Sequence, residues 1–67
     1  MEGWLSFVGG EWISWKPLPG LDSSLGESAM WIGSLVYARA KSKGRSEEES
    51  QREAEKAAYS AHYNVKY

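Results

Sequence analysis

The stretch Trp4-Leu-Ser-Phe-Val-Gly-Gly-Glu-Trp-Ile-Ser-Trp15 constrains the fold more than any other part of this chain. Two five-residue runs of mostly aromatic and branched side chains flank Gly9-Gly10, and adjacent glycines supply the positive φ angles of a two-residue primed turn. The pattern predicts a β-hairpin over 4–15 with a definite register, in which Val8 faces Glu11, Phe7 faces Trp12, Ser6 faces Ile13 and Trp4 faces Trp15. Alternation places Trp4, Val8, Ile13 and Trp15 on one face and Leu5, Phe7 and Trp12 on the other. Both faces are apolar, and a two-stranded ribbon is barely stable by itself. At least one face must therefore pack against the rest of the chain. The expectation is that Trp4, Ile13 and Trp15 turn inward while Phe7 and Trp12 lie toward the outside.

Residues 16–24, Lys-Pro-Leu-Pro-Gly-Leu-Asp-Ser-Ser, read as a linker, because two prolines remove backbone donors and favour an extended path. Their Pro-x-Pro spacing is not the PxxP of proline-motif ligands. Ser24 followed by Glu27 has the form of a capping box and predicts a helix over 25–42. A strand with an internal glycine competes for Trp31–Tyr37, but strict alternation is missing and helix-favouring residues dominate the window. On a helix, Trp31, Leu35 and Ala38 form one stripe, expected to face the second helix. Gly44 is a natural stop. Ser46 and Glu49 form a second capping box, and Glu47 and Glu48 suit a helix N-terminus, so a further helix is predicted over 46–63. Its small face comprises Ser50, Ala54, Ala57, Ala58, Ala61 and Val65; the opposite face carries Tyr59, Tyr63 and Tyr67.

Length decides how far such elements can go. A single domain of 67 residues buries only about 60% of the surface its unfolded chain exposes. Disulfides, a structural metal or self-association are the usual supplements. The absence of cysteine removes the first and thiolate metal sites with it, and one histidine removes a histidine-rich site. Aromatic packing or association with another protein, or with a second copy, must supply the remainder. The lack of cysteine and of a recognisable signal peptide fits a cytoplasmic protein. The ten-residue run Ala29–Ala38 is far short of the roughly 20 apolar residues that span a bilayer, so no membrane partner is expected.

The net charge of −1 argues against bulk attraction to nucleic acid. The charge is nonetheless segregated. Residues 1–30 set Lys16 against Glu2, Glu11, Asp22 and Glu27, whereas 31–45 hold Arg39, Lys41, Lys43 and Arg45 without an acid. Those four basic residues are the candidate contact for phosphate or an acidic partner. They also complement a helix C-terminus. The stretch Lys43–Ala58 loosely resembles the loop and last helix of double-stranded-RNA-binding domains, with a Gly-x-Ser turn and an alanine-rich helix. Glu47 and Glu48 stand where that family places phosphate-touching lysines, and the family's first helix has no room ahead of the hairpin, so the resemblance is not adopted.

No catalytic, cofactor or metal site is expected. His62 has only Ala, Tyr and Ser as near neighbours, and Ser60 points to a different helix face. Glu47, Glu48 and Glu49 diverge by about 100° per residue on a helix and cannot converge on one ion. Gly9-Gly10 lacks the lysine and following helix of a phosphate loop.

These readings add up to an α+β chain in which a small N-terminal β-hairpin packs on a two-helix antiparallel hairpin. The expected function is a non-enzymatic protein-binding module, of the kind found among phage-type or accessory inhibitors and regulators. Its expected contact residues are Phe7, Trp12, Tyr59, Tyr63 and Tyr67. The alternative is a small nucleic-acid-binding regulator using the basic turn at 39–45.

Overall fold

A computed structural model describes residues 3–64. Its elements are β1 (Trp4–Val8), β2 (Glu11–Trp15), α1 (Leu21–Leu25), α2 (Glu27–Ser42) and α3 (Glu47–Asn64), an α+β arrangement of one hairpin followed by helices. The strands pair antiparallel in the expected register, from Trp4 opposite Trp15 to Val8 opposite Glu11. Gly9 and Gly10 take φ of 62° and 85°, the positive values that a two-residue primed turn requires.

The hairpin lies over α2, and its inward face is the one carrying Trp15, which is fully buried. β1 runs alongside α2 with the same polarity. Trp4 meets Trp31, with ring centroids 4.6 Å apart in an edge-on arrangement. The Ser6 and Ser34 hydroxyls are 2.9 Å apart, and Ser34 also donates to the Trp4 carbonyl at 3.1 Å. At the far end, a Cβ on Gly9 would sit 2.7 Å from the Ser42 hydroxyl. Five strand residues and eleven helix residues each span about 17 Å, so the two elements stay in step along this seam.

Two readings of the middle segment need correction. The linker does not extend to Ser24, because Leu21–Leu25 forms a short helix. Leu21 and Leu25, four residues apart, both fall on its buried side. The capping box at Ser24 and Glu27 does not form either. Gly26 takes φ of 87° and separates α1 from α2, so Ser24 lies inside α1, where its hydroxyl donates to the Gly20 carbonyl at 3.2 Å. The Ser46 cap does form: its hydroxyl accepts from the Glu49 backbone N–H at 3.2 Å. Between the helices, Gly44 N–H donates to Lys41 O at 3.0 Å and Arg45 N–H to Ala40 O at 3.1 Å, closing α2 with a Schellman motif.

The third correction concerns which face of α2 is buried. The stripe expected to meet α3 was Trp31, Leu35 and Ala38. Instead Ala29, Met30, Gly33, Ser34, Tyr37, Ala38 and Ala40 are buried, while Trp31 and Leu35 are exposed. The cause is close approach. α3 offers Ser50, Ala54, Ala58 and Ala61, and small side chains on both helices let the backbones draw together. Gly33 sits at the tightest point, where a Cβ would lie 2.7 and 2.8 Å from Trp15 ring carbons and 3.1 Å from the Ala54 carbonyl oxygen. A bulky stripe at this seam would hold the helices apart and leave the Trp15 indole without a pocket. Of the predicted small face of α3, Val65 lies outside the described residues.

The core is then Trp15 surrounded by Leu21, Leu25, Ala29, Met30, Tyr37, Ala54, Ala58 and Ala61. Trp15 stacks near Tyr37 at 6.4 Å, and its indole N–H donates to Gln51 Oε1 at 2.7 Å. Gln51 uses its amide N–H to reach the Lys16 carbonyl at 3.1 Å, so one side chain fastens the end of β2 to α3.

Candidate functional site

What the fold leaves uncovered is the starting point, because small chains bury their largest side chains whenever geometry allows. Here it does not for many of them. Leu5, Phe7, Trp12, Leu18, Trp31, Ile32, Leu35, Tyr59 and Tyr63 are all substantially exposed. They fall into separate surfaces.

The outer face of the hairpin is the first. Alternation sends Leu5 and Phe7 away from α2, and the register sets Trp12 directly opposite Phe7. The two rings touch at 5.2 Å between centroids, tilted by 57°. Phe7 is 59% exposed and Trp12 is 67% exposed. Such a cross-strand aromatic pair steadies the ribbon, yet both rings keep most of their area in solvent.

The tyrosines form a second surface. Tyr59 and Tyr63 sit on the side of α3 opposite the alanines that meet α2, and both are exposed. They do not join Phe7 and Trp12, since no Cα of either strand comes within 8 Å of a Cα of α3. Tyr67 lies outside the described residues. His62, next to Tyr63, is half-buried; its Nδ1 is 3.1 Å from the Leu25 carbonyl, a contact that ties α1 to α3.

The basic run divides. Lys41 pairs with Glu47 at 3.2 Å and Arg45 with Glu53 at 3.4 Å. Among the described residues, Arg39 and Lys43 have no ion pair. They lie four apart on one side of α2, beside a cleft of about 160 Å³ that Val36, Ala40, Arg45 and Glu53 complete. Glu47 is further engaged by the Tyr37 hydroxyl, which donates to its two carboxylate oxygens at 2.8 and 2.9 Å. These hydrogen bonds from Tyr37, and then that from Lys41, hold the Glu47 carboxyl below its ordinary value. Burial, reinforced by the Glu47 carboxylate, pushes the Tyr37 phenol up to about 12. The arrangement pins the inter-helix turn.

A surface that sequence reasoning missed runs along α2. Trp31, Ile32 and Leu35 are exposed on one side of that helix, with Arg39 and Lys43 at its C-terminal end. Beside its N-terminal end lies a cleft of about 460 Å³, lined by Trp4, Trp31, Leu18 and Pro17 together with Asp22 and Glu27. The available signal was the all-round apolar character of 29–38, since a helix apolar on every side must have neighbours on every side.

No protein-family model matches this chain, and neither a curated protein nor a solved structure matches it. Function must be argued from these surfaces. Among the described residues no three His, Asp or Glu side chains gather as metal ligands, and no helix is long and apolar enough to cross a membrane.

Proposed function

We propose that this chain is a non-enzymatic protein-binding module, acting in the cytoplasm as an accessory regulator or inhibitor of the phage type, with the outer hairpin face as its contact surface. The observation that carries the reading is the exposed Phe7–Trp12 pair. Trp12 is among the largest side chains available and keeps 67% of its area in water although it sits in a paired strand, directly opposite Phe7. Aromatic residues of this kind supply most of the binding energy where they are desolvated by a partner. Leu5, on the same face as Phe7, extends the patch along β1. The ribbon is rigidly attached by Trp15, Gln51 and Ser34, so presenting the patch carries little ordering cost. Tyr59 and Tyr63 offer a second, separate contact area on α3. The rival reading, a nucleic-acid-binding regulator, has less support, because two of the four basic residues are already paired with glutamates.

The test is comparative capture from the host lysate. Wild type, a Phe7→Ser/Trp12→Ser variant and a Tyr59→Ser/Tyr63→Ser variant are immobilised after their circular dichroism has been matched. A stoichiometric protein held by wild type and lost with the hairpin variant supports the reading. Identical capture by wild type and the hairpin variant overturns it.

A further inference from the structure

The α2 surface has a pattern that the preceding reading does not use. Across one half of the α2 surface, an arc of about 160° at 100° per residue, run Glu27, then Trp31, Ile32 and Leu35, then Arg39 and the capping residue Lys43. The acidic end is continuous with the 460 Å³ cleft, where Asp22 and Glu27 stand beside the Trp4 and Trp31 rings. Among the described residues, neither carboxylate has an ion pair, and neither do Arg39 and Lys43. Glu27 and Arg39 are twelve residues apart, about 18 Å along the helix, so they cannot pair with each other within one chain. Acid, apolar centre and base in that order make a face that is complementary to itself when turned end for end.

We propose that a second copy of this chain docks on this face, with the two α2 helices antiparallel about a two-fold axis. Setting Ile32 opposite Leu35 of the second copy brings Trp31 opposite Val36 and Ser28 opposite Arg39. The Arg39 guanidinium of each copy then enters the other's cleft beside Glu27 and the Trp31 ring, the pairing of carboxylate and aromatic face that guanidinium favours. Lys43 falls toward Asp22. Antiparallel alignment also sets the positive end of each helix dipole beside the negative end of the other. A two-fold interface needs a surface that complements itself, which this one does by charge. The face is about 24 Å long on a molecule 22 Å across, or about 500 Å² in flat projection. Specific interfaces take about 600–1,000 Å² of accessible surface from each partner. The contact therefore falls below that range, where weak and transient associations lie, and reads as a weak, reversible dimer.

This inference shares with the proposed function only the premise that surplus apolar surface is contact surface, and it concerns a different face. The test is sedimentation equilibrium across a concentration series, with circular dichroism as the control for folding. Wild type should be a reversible dimer, and Leu35→Glu, at an exposed position, a folded monomer. Arg39→Glu and Glu27→Arg should each weaken association about tenfold or more, and the double swap should restore it, because opposed like charges are replaced by a reversed pair. Phe7→Ser/Trp12→Ser should leave the dimer unchanged even if it abolishes partner capture. A wild-type chain that stays monomeric at the highest concentration would overturn the proposal, as would a dimer indifferent to Leu35→Glu. So would a double swap no better than the single ones.

Discussion

Replacing Gly33 by alanine tests whether the core is organised around Trp15 in the way described. On an ordinary helix the substitution is stabilising by about 1 kcal/mol, because alanine is the better helix former. Here the new Cβ would lie 2.7 and 2.8 Å from two carbons of the Trp15 ring and 3.1 Å from a backbone oxygen of Ala54. Trp15 is fully buried, stacked near Tyr37 and hydrogen-bonded to Gln51, so its ring has no free direction in which to retreat. Over-packing of this kind costs about 1–3 kcal/mol. The net expectation is a loss of up to about 2 kcal/mol from a domain whose total is of the order of 3–10 kcal/mol. That corresponds to a Tm lower by up to roughly 15 °C. Thermal and urea unfolding followed by circular dichroism measure it, with Ser28→Ala on the exposed side of the same helix as the control for propensity alone. In a Trp15→Phe background the smaller ring makes room, and Gly33→Ala should become neutral or stabilising. If Gly33→Ala gains the full helix-propensity increment of about 1 kcal/mol, the close packing of α2 on α3 and Trp15 is not as described.

Ser50 is completely buried in α3, and its hydroxyl has no hydrogen-bond partner among the described residues, so Ser50→Ala should raise stability by about 1–2 kcal/mol in the same unfolding assay. The Glu47 carboxyl is held below its ordinary value in the fold, so the stability it contributes is present above the unfolded carboxylate range and is lost as pH falls through the folded value. Glu47→Gln should flatten that acid limb, and an unchanged limb would assign acid sensitivity elsewhere. Tyr37, raised to about 12, should show a late ionisation step in ultraviolet absorbance that is missing from Tyr37→Phe, with stability full below pH 10 and declining from there toward about 12. Binding to random duplex or single-stranded nucleic acid should be absent even at low salt, because only Arg39 and Lys43 of the basic run lack a glutamate partner. A salt-dependent affinity lost on substituting those two would reinstate the nucleic-acid reading.

The parts of this fold legible in advance are those governed by near neighbours in the chain. Gly9-Gly10 sets the hairpin register because a two-residue turn admits only one, and alternation then decides that Phe7 and Trp12 share a face. Ser46 and Glu49 mark the start of α3, and Gly44 the end of α2, through hydrogen bonds that reach no more than five residues. The buried face of α2 obeys a different rule. Its apolar residues surround the helix, so periodicity does not choose among them. The choice is made by a notch at Gly33 that accepts a ring 18 residues earlier and a backbone carbonyl 21 residues later. The same gap explains the missed contact surface, since Trp31 and Leu35 were assigned to an interior that smaller residues occupy. The short helix α1 was hidden by the prolines and glycines around it, although Leu21 and Leu25 carry helical spacing.

The four tryptophans stand in four different surroundings, and the molecule is in effect labelled by its own sequence. Trp15, sealed inside, emits as a folding probe whose red shift marks loss of the core. Trp12, open to solvent, is accessible to a charged quencher until a partner covers the hairpin. Trp31, at the edge of the α2 face, would be shielded by a second copy, and Trp4 beneath the cleft senses whatever enters there. Single-tryptophan versions, with phenylalanine at the other three positions, would separate unfolding, partner capture and self-association in one fluorimeter without any added dye.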